Sequence, residues 1–161
     1  MYSPNQPETN ASGLRVALVV SRYHARITDA LCVAATECFQ SAGGHVDDLE
    51  IVHTPGAFEL TVVCRAQAVR GDIDAVVALG CIISGETDHD RYIASAVATG
   101  LTMITVETSV PVAFGVLTCR TLEQALARAG GDRGNKGAEA MAAAIETART
   151  LRGLRRMQEC S

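Results

Sequence analysis

The run Ala75-Val76-Val77-Ala78-Leu79-Gly80-Cys81-Ile82-Ile83 is apolar at odd and even positions alike. A strand sends successive side chains to opposite faces, so this run has to be covered on both. Strands of that kind belong to parallel sheets with helices packed above and below. The rest of the chain repeats the pattern. Leu14–Val20 predicts a buried strand, and Ile27–Ala42 has helical spacing that stops at Gly43-Gly44. Leu49–His53 reads as a short strand ending at Pro55-Gly56, and Ala57–Val69 as a helix closed by Gly71. Asp90–Glu107 reads as a helix softened near Gly100, and Pro111–Thr118 as a fourth strand. Thr121 with Gln124 makes a capping-box pattern for a helix that runs to Ala129 and stops at Gly130-Gly131. An alanine-rich helix is expected from about Lys136 to Leu151. The fold class is α/β, with a central four-stranded parallel sheet between helical layers. Met1–Ser12 reads as a flexible arm, 13–152 as one domain and 153–161 as a tail, with Arg152–Arg156 a solvated helix end.

Open parallel sheets bind ligands in the crevice outside the carboxyl ends of their strands. The strand Ala75–Ile83 ends there in Ser84-Gly85-Glu86-Thr87-Asp88-His89. Gly85 lets the backbone approach a ligand closely. The N–H groups of Glu86 and Thr87, if they open the next helix, would point at an anion. His89 follows, carrying the side chain that changes protonation near neutral pH. An anion cradle beside a proton carrier points to catalysis.

Composition removes other classes. The 161-residue chain carries a net charge of −4, which argues against non-specific nucleic-acid binding. Aromatics are 4% with no Trp, so there is no platform on which bases could stack. No segment approaches the roughly 18 apolar residues of a membrane span, and the first twelve residues do not read as a signal peptide. The six cysteines, at 32, 38, 64, 81, 119 and 160, form no CxxC pair. Metal and disulfide roles are therefore not expected, and a reducing, cytoplasmic setting is.

Further loops reach the same sheet edge if every strand is parallel. Ser21-Arg22-Tyr23-His24 follows the first strand and Pro55-Gly56-Ala57-Phe58-Glu59 the second, while Phe114-Gly115 is taken to lie close to the end of the fourth. Tyr23 and Phe114 could then sandwich a planar heterocycle whose edges meet Glu59 and the backbone around Ala57 and Ile83. Singly, each aromatic could equally be a core residue. Gly130–Gly137 includes Lys136 but fails the P-loop pattern, since Asn135 precedes the lysine and Gly137 follows it. Arg128 on its helix is a surface charge unless something brings it to the Gly85 cradle, where a guanidinium fork suits a phosphate.

Four collinear blocks carry a resemblance. They are Pro55-Gly56-Ala57-Phe58-Glu59, Leu79-Gly80-Cys81-Ile82-Ile83-Ser84-Gly85-Glu86-Thr87-x-His89, Pro111–Thr118, and Glu123-Gln124-Ala125 continuing to Gly134-Asn135-Lys136-Gly137. In order and spacing, over about residues 13–152, the chain resembles the lumazine synthase (6,7-dimethyl-8-ribityllumazine synthase) family. The resemblance implies a flavodoxin-like three-layer α/β/α sandwich, to which the arm could add a strand. It implies condensation of 5-amino-6-(D-ribitylamino)uracil with 3,4-dihydroxy-2-butanone 4-phosphate, without metal or cofactor, giving the precursor of riboflavin. Carried onto this chain, Tyr23 and Phe114 hold the pyrimidinedione, and Ala57, Phe58, Glu59, Cys81, Ile82 and Ile83 bind ring and ribityl chain. Glu86, Thr87 and Arg128 take the phosphate, His89 transfers protons, and Lys136 matches a lysine near the phosphate.

The resemblance also implies a homo-pentamer with sites between neighbouring subunits, which would let Arg128 reach a distant cradle. The short loop Gly130–Gly137 has the length of members that build a 60-subunit icosahedral shell, for which riboflavin synthase is a candidate partner. The chain departs from the family pattern at Asp88, where Thr or Pro is usual, and at Asp90 and Arg91, where an aromatic and an acid are common. Tyr23 stands for Phe or Trp, and Ser84 for a frequent Arg. Asp88 is expected to weaken phosphate binding. The rival reading is a non-catalytic flavin- or lumazine-binding shell protein, which would be expected to lack His89 or Arg128. A flavodoxin-type electron carrier would want a Ser/Thr-rich phosphate loop after the first strand, and Ser21–His24 does not supply it.

Overall fold

The computed structural model of the chain describes residues 9–159. Strand β1 (Val16–Ser21) leads to helix α1 (Ala25–Ser41), and β2 (Leu49–Thr54) to α2 (Leu60–Ala68). Then β3 (Ala75–Ile83) leads to α3 (His89–Thr108), and β4 (Val112–Cys119) to α4 (Leu122–Arg128). A hairpin of β5 (Ala129–Gly131) and β6 (Gly134–Asn135) precedes the last helix, α5 (Lys136–Glu159). The four long strands form one parallel sheet in the order β2-β1-β3-β4. That order places a topological switch point between β1 and β3, because the chain leaves β1 toward one edge and β3 toward the other.

Both faces of the sheet are buried, as the apolar runs require. Val16, Leu18, Val20, Val77 and Leu79 pack with α1 and α5, around Leu31, Phe39, Met141 and Ile145. Ala17, Val19, Val76 and Ala78 pack on the other side with Leu60 and Cys64 of α2 and Val97, Leu101 and Ile104 of α3. The three-layer α/β/α sandwich follows.

Local chemistry accounts for the end of α1 and the start of α4. Helix α1 stops where Gly43 takes φ 84, a left-handed value that costs glycine nothing, and its N–H bonds the Gln40 carbonyl at 2.9 Å. At α4, Thr121 Oγ1 accepts from Gln124 N at 3.3 Å, while Gln124 Oε1 reaches back one residue beyond the cap, to Arg120 N at 3.0 Å. Gly100 does not soften α3, which runs unbroken. A Cβ there would come within 2.5 Å of Thr61 Cγ2, so this glycine allows α2 and α3 to pack closely.

Three expectations need correction. The segment expected as plain loop holds the β5–β6 hairpin, whose strands of 3 and 2 residues carry no periodic signal. Helix α5 runs on past Leu151 to Glu159, so residues 153–159 are helical rather than a tail. Its arginines are engaged: Arg152 grips Asp74 Oδ1 at 2.7 Å, and Arg155 donates to the Ser109 carbonyl at 3.0 Å. The arm is tied down before residue 13. Ala11 is buried with its N–H on the Ala42 carbonyl at 2.8 Å, and Arg149 Nε holds the Asn10 carbonyl at 2.8 Å. The strand expected from the arm Met1–Ser12 does not form within residues 9–12, and the first eight lie outside the described residues. Among the described residues, no helix is long and apolar enough to cross a membrane.

Candidate active site

A cavity of about 860 Å³ opens at the carboxyl edge of the sheet, beside the β1/β3 switch point. The loop after β1 supplies Tyr23, and the loop after β2 supplies Ala57, Phe58 and Glu59. The end of β3 supplies Cys81, Ile82 and Ile83, and the segment beyond it Gly85, Thr87 and His89. The cavity thus gathers residues of three loops that are far apart in sequence. They meet because parallel strands deliver their carboxyl ends to one edge.

The backbone holds these loops in order. Arg22 N bonds the Thr54 carbonyl at 2.8 Å, tying the β1 loop to the β2 loop, and Thr54 Oγ1 bonds the Gly56 carbonyl at 2.9 Å. His24 takes left-handed φ 59 to cap α1, which sets its ring edge-on to Tyr23 at 4.7 Å and 76°. A non-glycine residue in that region carries strain, so the turn presenting Tyr23 and His24 is held by its surroundings. His24 lines the cavity, as do Tyr92, Ile93 and Ala96. None of these four was assigned from sequence. The signal for Tyr92 was available: it lies three residues after His89, on the same flank of a helix.

Helix α3 starts at His89, with Asp88 as its cap residue. Glu86 and Thr87 therefore do not open the helix, which corrects the expectation of a cradle on its first turn. They belong to an irregular segment in which Gly85, Glu86 and Thr87 make no hydrogen bond to the rest of the described chain. A Cβ on Gly85 would meet nothing within 4 Å, so no neighbour in the chain demands glycine there. Unpartnered N–H groups at a cavity wall, next to a helix N-terminus, form an environment suited to an anion. Thr87 lines the cavity and Glu86 does not. The Asp88 side chain is 76% exposed, with Oδ1 3.8 Å from Arg91 Nη1, and it is absent from the cavity wall.

Besides Glu86, three expected residues are not brought to this cavity by their own chain. Phe114 pairs with Ala78 in the first half of β4, about 16 Å along the strand from its end at Cys119. The placement of Phe114 near the strand end is thereby corrected. It lines a separate hollow with Ala98, Leu101, Thr102 and Thr105 of α3. At about 100° per residue, those positions lie half a turn round α3 from His89, Tyr92, Ile93 and Ala96. Helix α3 stands between the cavity and Phe114. Arg128 bonds the Gln124 carbonyl at 3.0 Å and lies by Cys119, where its charge favours the thiolate against a burial that raises the thiol pKa. Lys136 pairs with Glu139 at the start of α5, in the layer that packs against α1 on the opposite face of the sheet.

Burial pushes the Cys81 thiol up to about 12, with Cys119 nearby adding to the shift. A thiol in that state is no nucleophile near neutral pH. Cys81 contributes shape and backbone, and the other titratable side chains on the wall are those of His89, His24, Glu59, Asp90 and the tyrosines.

Comparison with known proteins bears on the whole domain. The family model for 6,7-dimethyl-8-ribityllumazine synthase matches residues 13–152. A protein of that name from Thermus thermophilus is 45% identical over 150 residues, covering 93% of this chain and 96% of its own length. One from a Mycobacterium species is 47% identical, covering 94% of each chain. One from Aquifex aeolicus is 44% identical, covering 90% of this chain and 94% of its own.

Proposed function

The chain belongs to the 6,7-dimethyl-8-ribityllumazine synthase family, and on that premise we propose how its cavity and its surfaces carry the reaction. The enzyme is a transferase of riboflavin biosynthesis. It joins 5-amino-6-(D-ribitylamino)uracil to 3,4-dihydroxy-2-butanone 4-phosphate, the penultimate step of that pathway. The amine attacks the ketone and the imine forms with loss of water. Phosphate leaves by β-elimination, and ring closure releases water again.

The observation that carries the site assignment is the meeting of Tyr23, Ala57–Glu59, Cys81–Ile83, Thr87 and His89 in one cavity at the switch point. Tyr23 offers a ring face to the pyrimidinedione. The ring edges and ribityl hydroxyls meet Glu59 and the backbone of Ala57, Phe58, Cys81, Ile82 and Ile83. The free N–H groups of Gly85–Thr87 receive the phosphate. His89, first residue of α3, carries protons for imine formation and elimination. The amine is already nucleophilic and phosphate leaves readily, so holding two substrates together supplies much of the acceleration.

Phe114, Arg128 and Lys136 then come from a neighbouring protomer. The two flanks of α3 support this reading, one bearing the open cavity and the other Phe114. Tyr92, Met103, Val106 and Phe114 are large, apolar and exposed around it. A contact between unlike patches is heterologous and closes into a ring when the rotation permits. The assembly is a pentamer, the pentamers join in a 60-subunit shell, and riboflavin synthase is its candidate partner in the cytoplasm.

Incubating the protein with both substrates and following lumazine absorbance tests the function. Folded protein that binds lumazine without forming it would favour a binding shell instead. Light scattering at micromolar protein tests the assembly: a megadalton particle supports the shell, a mass of five chains limits it to the ring, and an active monomer overturns the shared site.

A further inference from the structure

Ser84 and Asp90 bracket the loop that carries the proposed phosphate cradle. Ser84 is fixed to the sheet, since its N–H donates to the Cys119 carbonyl at 2.9 Å, continuing the β3–β4 ladder. Asp90 sits in the first turn of α3, directly after His89. Ser84 Oγ donates to Asp90 Oδ2 at 2.8 Å. Between these two anchors, Gly85, Glu86 and Thr87 have no hydrogen bond of their own to the described chain. The span of the loop is therefore set at its ends. Asp90 also stands on the boundary between two spaces. With Ile82 it lines the main cavity and a second one of about 360 Å³, and Ser84 lies on the wall of the second alone. The bond thus draws the Asp90 carboxylate toward the far side of the partition.

We propose that Ser84 and Asp90 are a pair of positioning residues for His89. Their hydrogen bond clasps the start of α3 to the end of β3, which sets the loop width and the place of the imidazole relative to bound substrates. Neither residue takes part in the chemistry. This inference rests on the role given above to His89.

The test uses Ser84→Ala, Asp90→Ala, the double variant and Asp90→Asn, in the full-length assembled protein, with His89→Ala measured beside them. Each alanine variant is expected to lower kcat by about two- to tenfold, the range for loss of one hydrogen bond. The KM for the pyrimidine, which is held by the loops after β1 and β2 and by the sheet-bound end of β3 ahead of the clasp, stays constant. The double variant falls no further than the worse single, because both remove the same bond. Asp90→Asn keeps an acceptor and loses less than Asp90→Ala. Additive losses, an asparagine no better than alanine, or a fall in thermal midpoint with kcat unchanged would each overturn the clasp. A slow His89→Ala protein beside clasp variants at wild-type kcat overturns the clasp alone. A His89→Ala protein at wild-type rate overturns the role of His89 and the clasp with it.

Discussion

Asp88 Oδ1 lies 3.8 Å from Arg91 Nη1, one turn along α3, and both side chains face solvent. The carboxylate that by sequence threatens the phosphate is turned away from the cavity and neutralised locally. An exposed pair of this kind contributes little to stability and is screened by salt. Asp88→Thr is therefore expected to leave the KM for the butanone phosphate within about twofold, even at low ionic strength. A clear tightening that grows as salt is removed would show the carboxylate facing the phosphate.

His89 is expected to govern turnover more than affinity. With Ala in its place, kcat should fall by roughly ten- to a thousandfold, the small end reflecting rescue by water or buffer. Substrate dissociation constants should hold. Steady-state rates beside equilibrium binding of the pyrimidine separate the two.

Arg128 is expected to act on the neighbouring protomer's phosphate. Arg128→Ala should raise the KM for the butanone phosphate by about ten- to a hundredfold, the cost of a charge-assisted pair, with pyrimidine binding unchanged. Co-assembly of Arg128→Ala chains with His89→Ala chains then rebuilds intact sites. With the butanone phosphate held well below the raised KM, an equal mixture should recover roughly a quarter of the wild-type rate, since that fraction of heterologous contacts joins two intact halves. No recovery above the two parents would place Arg128 in its own chain's site or outside the chemistry.

Gly137 is a packing requirement. A Cβ there would overlap the Leu31 carbonyl where α5 crosses α1. Gly137→Ala forces that backbone contact apart, and a loss of about 1–3 kcal/mol is expected. Differential scanning calorimetry should register it as a lower midpoint, by about 2–4 °C per kcal/mol. An unchanged midpoint would mean that α5 shifts along α1 without cost.

The buried thiols make the fold sensitive to alkali. Desolvation pushes Cys64 up to about 12, and Cys81 is likewise raised to about 12. A pKa raised on folding means that the native state favours the neutral thiol. That stabilisation is whole below the unfolded thiol pKa of about 8.5 and is lost as pH rises from there toward the folded value. Thermal midpoints taken from about pH 8 to 11 should fall, and Cys64→Ala should flatten the slope. An equal slope in the variant would assign the alkaline loss to other groups.

The strands and the main cavity were legible in the sequence because both depend on local pattern. An unbroken apolar run such as Ala75–Ile83 can be buried on both faces only as a strand of a parallel sheet, and such a sheet delivers the loops after its strands to one edge. That is enough to bring Tyr23, Ala57–Glu59, Thr87 and His89 together without knowing how far any helix is shifted. The position of Phe114 depends on the register of β4 against β3, set when Val112 pairs with Val76, and no residue near Phe114 announces that pairing. The places of Arg128 and Lys136 depend on how α4 and α5 settle on the opposite face. The turn of Asp88 toward Arg91, the bond from Ser84 to Asp90 and the contact of Gly137 with Leu31 are decided by atoms that meet only after the layers pack. Burial pattern is written one residue at a time, whereas register, helix placement and side-chain pairing belong to the whole packed structure.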